Sequence, residues 1–186
     1  MNKLKILVMI TLNIILSSSG CDKERNESSD DRLVLEKMDY RGEELRIDGY
    51  YRRYNYVGKE PKPRSVTPFI FYRNGIILGD VGYPIDRISE MEEKFRDGFY
   101  ATNAAKYQWG VFQIEGSKIK YEKWVPSDGP FSAFIYEGVI LNDTTFIINK
   151  SYRMRDIDKK ASTEVNWEYH FKPFSPKPDS TNRFIP

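Results

Sequence analysis

The side chains of this chain that could do chemistry are few and far apart. Cys21 is the only thiol, and it follows the small residues Ser17, Ser18, Ser19 and Gly20. A thiolate is a good nucleophile, so a lone cysteine in this setting reads as a site of covalent modification. His170 is the only imidazole. A general base needs a nucleophile or a water held for it by a partner group, and no motif supplies one; a surface or rim histidine is the expectation. Asp156-Ile157-Asp158 offers two carboxylates but lacks the glycine and distal glutamate of a calcium loop, so a solvated turn is expected. Arg153, Arg155, Lys159 and Lys160 interleave with those acids, a mixed cluster that leaves a phosphate or headgroup site open but unforced. There is no phosphate-binding glycine loop, serine elbow or metal motif. We expect no enzyme activity, no metal and no cofactor.

Composition narrows the classes further. With 186 residues the chain fits one domain plus short extensions. A single cysteine excludes an internal disulfide framework and a cysteine-based zinc cluster. The 29 basic and 27 acidic residues give a net charge of +2, without the basic excess of a nucleic-acid binder. With 13 Tyr, 11 Phe and 3 Trp the chain is too aromatic to stay disordered and can bury a core.

The cysteine gains its meaning from what precedes it. Lys3 and Lys5 form a basic start, and Ile6 to Leu16 is an apolar run broken only by Thr11 and Asn13. The run falls short of the roughly 20 residues of a membrane span and suits the core of a signal peptide. Ser18-Ser19-Gly20-Cys21 resembles the lipobox of a bacterial lipoprotein signal. The resemblance implies a diacylglycerol thioether on Cys21, cleavage before it, and acylation of the new amino terminus, typically with palmitate. Two or three acyl chains, at about 0.8 kcal/mol per buried CH₂, meet the need for more than one membrane signal. The alternative is an ordinary secretory signal with a cysteine nearby. Loss of Lys3 and Lys5 with the leader would leave basic and acidic side chains in balance. The lipoprotein reading places the protein in the cell envelope, lipid-anchored, at the outer membrane and facing the periplasm or the surface. Asp22 to Asp31 has no apolar residue and reads as a solvated spacer, with a sorting signal at Asp22, Lys23 and Glu24 as the alternative. Leu33 to Met38 is apolar enough to dock on the domain as a short helix or strand. The organisation is therefore a signal peptide (1–20), a lipidated cysteine and tether (21–43), a β domain (44–173) and a proline-rich tail (174–186) that is irregular or partly disordered.

The domain reads as strands. Leu45–Tyr56, Pro68–Tyr72, Ile76–Leu78, Gln108–Glu115, Lys118–Val125, Phe131–Leu141, Thr144–Met154 and Thr163–Phe171 are joined mostly as consecutive hairpins. Asn74-Gly75, Gly116-Ser117 and Asn142-Asp143 supply tight turns. Val165, Trp167, Tyr169 and Phe171 alternate with Glu164, Asn166, Glu168 and His170, so one face of the last strand is buried and the other wet. Phe131–Leu141 is apolar on both faces and contains Gly138, which predicts a bulge, a bend or a doubly covered strand. Ile85, Ile88, Met91 and Phe95 recur at helical spacing before Gly98, predicting one amphipathic helix, placed as a cap on one end of the barrel. There is no internal repeat.

About eight meandering antiparallel strands remove their edges by closing into a barrel. With Asp48-Gly49-Tyr50-Tyr51, Phe71-Tyr72-Arg73-Asn74-Gly75 and Trp109-Gly110-Val111-Phe112, the chain resembles a small lipocalin-like (calycin-type) domain. The resemblance implies a barrel whose interior holds a small, largely apolar molecule. Physics leaves a filled core and a cavity both open at this strand number. A cavity would be lined by alternating residues such as Tyr51, Phe112, Tyr121, Phe134, Tyr136, Phe146, Trp167 and Tyr169. Two functions follow: a lipid-anchored protein that binds a small hydrophobic or amphipathic ligand, or a non-catalytic structural lipoprotein with a filled barrel that contacts an envelope protein.

Overall fold

Alternation of large apolar and polar residues over short stretches favours strands, because successive side chains point to opposite faces. A computed structural model of the chain bears this out and describes residues 32–79, 82–126, 131–153 and 162–186. The leader, Cys21, the spacer to Asp31 and the cluster from Arg155 to Lys160 lie outside the described residues. All eight expected strands are present. They are β1 (Gly49–Asn55), β2 (Ser65–Phe71), β3 (Ile76–Gly79), β5 (Trp109–Glu115), β6 (Lys118–Val125), β7 (Ser132–Asn142), β8 (Thr145–Arg153) and β9 (Thr163–Pro173), with a two-residue strand β4 (Tyr83–Pro84) as an addition.

The sheet runs β1-β9-β8-β7-β6-β5-β3-β2, and β2 returns to pair with β1, closing an antiparallel eight-stranded barrel; β4 pairs with β2 beside it. Tight hairpins join β2–β3, β5–β6 and β7–β8 at one end, and the longer connections lie at the other. The Asn74-Gly75 hairpin forms, but not as a two-residue turn. Tyr72 N–H donates to Ile76 O at 3.0 Å and Gly75 N–H to Tyr72 O at 3.1 Å, leaving a three-residue loop with Gly75 at φ 77°. That is the left-handed position glycine fills without penalty. A Cβ there would also lie 2.2 Å from the Met38 carbonyl oxygen. The expected irregularity in β7 is a bulge: its register with β8 shifts between Glu137 and Gly138.

Inner and outer faces each carry a core. Inside, Tyr51, Phe69, Phe71, Ile77, Phe112, Ile119, Tyr121, Tyr136, Phe146, Ile148 and Tyr169 form one buried cluster, which Tyr40 and Leu45 close at the hairpin end. Outside, Tyr50, Ile70, Ile76, Leu78, Trp109, Val111 and Trp124 form a second. The outer cluster is covered by helix α1 (Ile88–Arg96) through Met91 and Phe95, by the short helix α2 (Phe99–Asn103), and by Phe174 and Ile185 of the tail. The helix therefore packs against the side wall and does not cap an end. Its apolar stripe specifies that one face is buried, and the outer apolar residues of β1, β2, β3 and β5 provide the surface. Glu92 fixes it there, accepting from Tyr50 Oη at 2.7 Å and from Lys172 Nζ. The helix ends at Gly98, φ 75°, as expected of a left-handed stop.

Both chain extensions pack. Residues 33–38 dock as irregular chain, neither helix nor strand, with a bend at Leu35 that turns two successive amides to one acceptor. Val34 N–H and Leu35 N–H donate to Oε2 of the buried Glu122 at 2.8 and 2.7 Å. Burial raises that carboxyl's pKa against the opposing pull of these two bonds. The tail is irregular, as its prolines require, yet Phe174 and Ile185 are buried. Lys177 Nζ donates to the carbonyls of Ile47 and Phe71, and desolvation lowers its pKa to about 8.

Phe146 is fully buried, stacked on Tyr169 at 4.6 Å and in edge contact with Tyr51 and Phe71. We predict that Phe146→Ala costs about 3–5 kcal/mol of unfolding free energy, the usual range for removing a buried ring. Urea denaturation followed by tryptophan fluorescence measures this.

Candidate functional site

The barrel interior divides into two halves. At the hairpin end, rings fill it: Phe71 meets Phe112 at 4.8 Å and Phe146 at 5.6 Å, Tyr51 meets Phe71 at 5.5 Å, and Tyr40 meets Phe112 at 5.5 Å. Toward the other end the packing opens into a cleft of about 390 Å³. Its walls are Tyr121, Tyr136, Trp167 and Tyr169, from β6, β7 and β9, with Arg53 of β1 and Lys123 of β6. Phe69 closes the base, 4.8 Å from Tyr121. Tyr121 and Tyr136 stack at 4.7 Å and 18°, and Trp167 continues the aromatic wall 5.7 Å from Tyr136.

The charge in the cleft is basic. The Arg53 guanidinium lies 4.2 Å from the centroid of Trp167 and 5.7 Å from that of Tyr169. Its Nε and Nη1 are shut off from solvent and make no hydrogen bond. Stacking on an indole is worth up to about 2 kcal/mol when desolvated, and burying guanidinium N–H groups without acceptors works against it. Lys123 Nζ donates to Gly79 O at 3.2 Å. Among the described lining residues there is no carboxylate. Desolvation raises the pKa values of Tyr121, Tyr136 and Tyr169. Those phenols are neutral at physiological pH, so the cleft presents ring faces, hydroxyls and cationic nitrogens.

The eight residues expected to line a cavity all face inward, but four meet at the cleft, three pack in the filled half and Phe134 belongs to neither. Tyr121, Tyr136, Trp167 and Tyr169 come together at the cleft. Tyr51, Phe112 and Phe146 pack in the filled half. Phe134 is half-buried against the inner cluster, under Arg153 at 5.4 Å. Sequence reasoning did not single out Arg53, Lys123, Phe69 or Tyr107 as lining. The available signal was period two itself, which puts Arg53 on the same face as Tyr51 and Lys123 on the same face as Tyr121. His170 is on the outer face, half-exposed, 3.4 Å from Glu168 Oε1. Among the described residues, no group of three or more His, Cys, Asp or Glu side chains is placed to hold a metal ion. No described helix is long and apolar enough to cross a membrane.

A larger groove of about 520 Å³ runs on the outer wall between residues 32–37 and the tail, over Trp124 and Val111. It is a seam where the two extensions meet. The mouth cleft belongs to the barrel itself.

Fold and cleft together define a closed eight-stranded antiparallel β-barrel, filled at one end and open to an aromatic, basic cleft at the other. No protein-family model matches the chain, and searches of curated proteins and of solved structures gave no match.

Burial holds eight of the 13 tyrosines, namely Tyr40, Tyr50, Tyr51, Tyr72, Tyr121, Tyr136, Tyr152 and Tyr169, above the ordinary phenol range. Raised pKa values mean that the folded state keeps protons that the unfolded chain loses. Stability from these groups is complete below about pH 10 and falls as pH rises beyond it. We predict that phenolate absorbance shows only a minority of tyrosines ionising near pH 10, the rest appearing in one step with loss of near-ultraviolet dichroism. Ionisation of all tyrosines in a single normal titration, with the fold intact, would contradict the burial.

Proposed function

We propose that the chain is a lipid-anchored bacterial lipoprotein of the cell envelope whose lipocalin-like barrel binds a small hydrophobic or amphipathic ligand at its mouth. The observation that carries this reading is the mouth cleft. A concave site walled by Tyr121, Tyr136, Trp167 and Tyr169 with a few polar groups has the make-up of a small-molecule site. The lipocalin-like assignment draws support from the closed eight-stranded meander. The anchor draws support from the lipobox-like Ser18-Ser19-Gly20-Cys21. The site of action is the outer membrane, periplasmic or surface-facing, and the partners are the membrane, through the lipid on Cys21, and the ligand.

A second reading has its own observation. Tyr51, Phe71, Phe112 and Phe146 fill the hairpin end of the barrel, as in a structural lipoprotein that serves as an accessory to an envelope protein. Under that reading the outer wall carries the function.

Two measurements test the proposal. In a bacterial host fed radiolabelled palmitate, the wild-type chain is expected to take up label and partition with membranes, and Cys21→Ser to lose both. Label retained by Cys21→Ser overturns the anchor. Native mass spectrometry of the purified chain is expected to show a small-molecule adduct that Trp167→Ala reduces. A bare mass together with a stoichiometric envelope protein on crosslinking favours the accessory reading.

A further inference from the structure

Two clefts meet at one side-chain pair. The mouth cleft and a second cleft of about 450 Å³ on the seam between β1 and β9 both include Arg53 and Trp167 in their lining. The seam exists because β1 and β9 pair only from Gly49–Pro173 to Arg52–His170. Beyond that, β1 continues on β2 as far as Asn55, and β9 on β8 as far as Thr163. Arg53 is the first residue of β1 past the split, and its guanidinium closes the gap by lying over Trp167.

That arrangement leaves a cation incompletely matched. A guanidinium is charged at every accessible pH and carries five N–H donors. Trp167 and Tyr169 offer ring faces, which attract a cation but do not saturate N–H donors, and Nε and Nη1 have no acceptor. On the mouth side no described lining residue is acidic. On the seam side Glu168 lines the cleft and is engaged by His170. Arg46 and Arg87 by contrast meet Asp48 and Glu90 directly and Arg73 donates to the carbonyls of Tyr40 and Gly42, while Arg52, whose Nε is also buried without an acceptor, lies over Tyr54 outside this cleft.

We propose that the mouth cleft takes an organic anion, a carboxylate on an apolar or aromatic body, with the carboxylate on Arg53 and the body against Tyr121, Tyr136 and Trp167. This rests on the reading of the barrel as a ligand binder and adds the charge and the orientation of the ligand. A carboxylate is the shape the guanidinium fork matches with two parallel hydrogen bonds. It supplies the acceptors that the rings do not. Swinging the guanidinium from the indole to the ligand also frees the Trp167 face for the ligand's body.

The test uses the full chain and three probes with one ring system: 2-naphthoate, 2-naphthamide and 2-naphthylmethylammonium, titrated by calorimetry. Wild type is expected to bind the carboxylate about tenfold or more tighter than the amide, the range of a charge-assisted hydrogen bond made out of water, and the ammonium most weakly. Arg53→Gln should abolish the preference of carboxylate over amide, whatever it does to the affinity common to both. Arg53→Lys, which keeps the charge without the fork, should keep only part of it. Equal binding of carboxylate and amide by wild type overturns the anion inference and leaves the binding barrel standing. No binding of any probe overturns both. An undiminished preference in Arg53→Gln overturns the assignment to Arg53. Should Arg53→Gln not fold, an undiminished preference in Arg53→Lys overturns it equally.

Discussion

A closed sheet has an inside, an outside and no edge, so every strand residue must satisfy one of two environments. Everything else in this structure depends on that closure. It is made by β1, which pairs with β2 over Tyr51–Asn55 and with β9 over Gly49–Arg52. The two pairings overlap only in part. Where they overlap the barrel is sealed and packed with rings, and where β9 drops away the wall parts and the cleft begins. Filled end and open end are thus consequences of one register.

Closure also explains why a chain this short carries two cores. Tyr50 and Tyr51 are neighbours in sequence and both are buried, one outside and one inside. Burial on the outer wall requires a cover, and the chain supplies it from three places far apart in sequence: residues 33–35, the helix from Ile88, and Phe174 to Ile185. Each cover is pinned by a polar contact at its margin. Glu122 takes the amides of Val34 and Leu35, Glu92 takes Tyr50 and Lys172, and Lys177 caps the carbonyls of Ile47 and Phe71. Apolar area supplies most of the stabilisation, since each buried aromatic is worth about 1.5–3 kcal/mol. The polar pins fix where each cover sits.

Much of the barrel was legible in the sequence because period two is a local signal. Val165, Trp167, Tyr169 and Phe171 announced their face, Gly138 announced the bulge, and Gly98 the end of the helix. What could not be read were relations between distant segments. Ile88, Met91 and Phe95 state that a helix face is buried, but not against which surface, and the outer apolar residues of β1 to β5 were hidden in strands that look apolar on both sides. Glu122 reads as the wet face of β6 until a segment 87 residues upstream covers it. At the cleft, Tyr121, Tyr136, Trp167 and Tyr169 were visible as inward candidates. Arg53 was not singled out although it shares the face of Tyr51, because a charged side chain next to Arg52 reads as solvated until pairing with Phe171 and Phe69 turns Tyr51 inward.

The outer cover is confined to part of the circumference. β2, β3 and β5 have buried side chains on both faces, whereas β9 carries the exposed Glu164, Asn166, Glu168 and His170 along its outer face, and the outer face of β7 passes from the buried Ala133 and Ile135 to the exposed Val139. Mechanically, the barrel is a wall backed on both faces over β2, β3 and β5 and single-faced along β9. The bulge at Gly138 falls where the outer face of β7 becomes exposed, and the parted seam falls beside β9. A change in what the interior holds would therefore meet least resistance at the bare flank of β9 beside the seam, and most at the wall the helix backs.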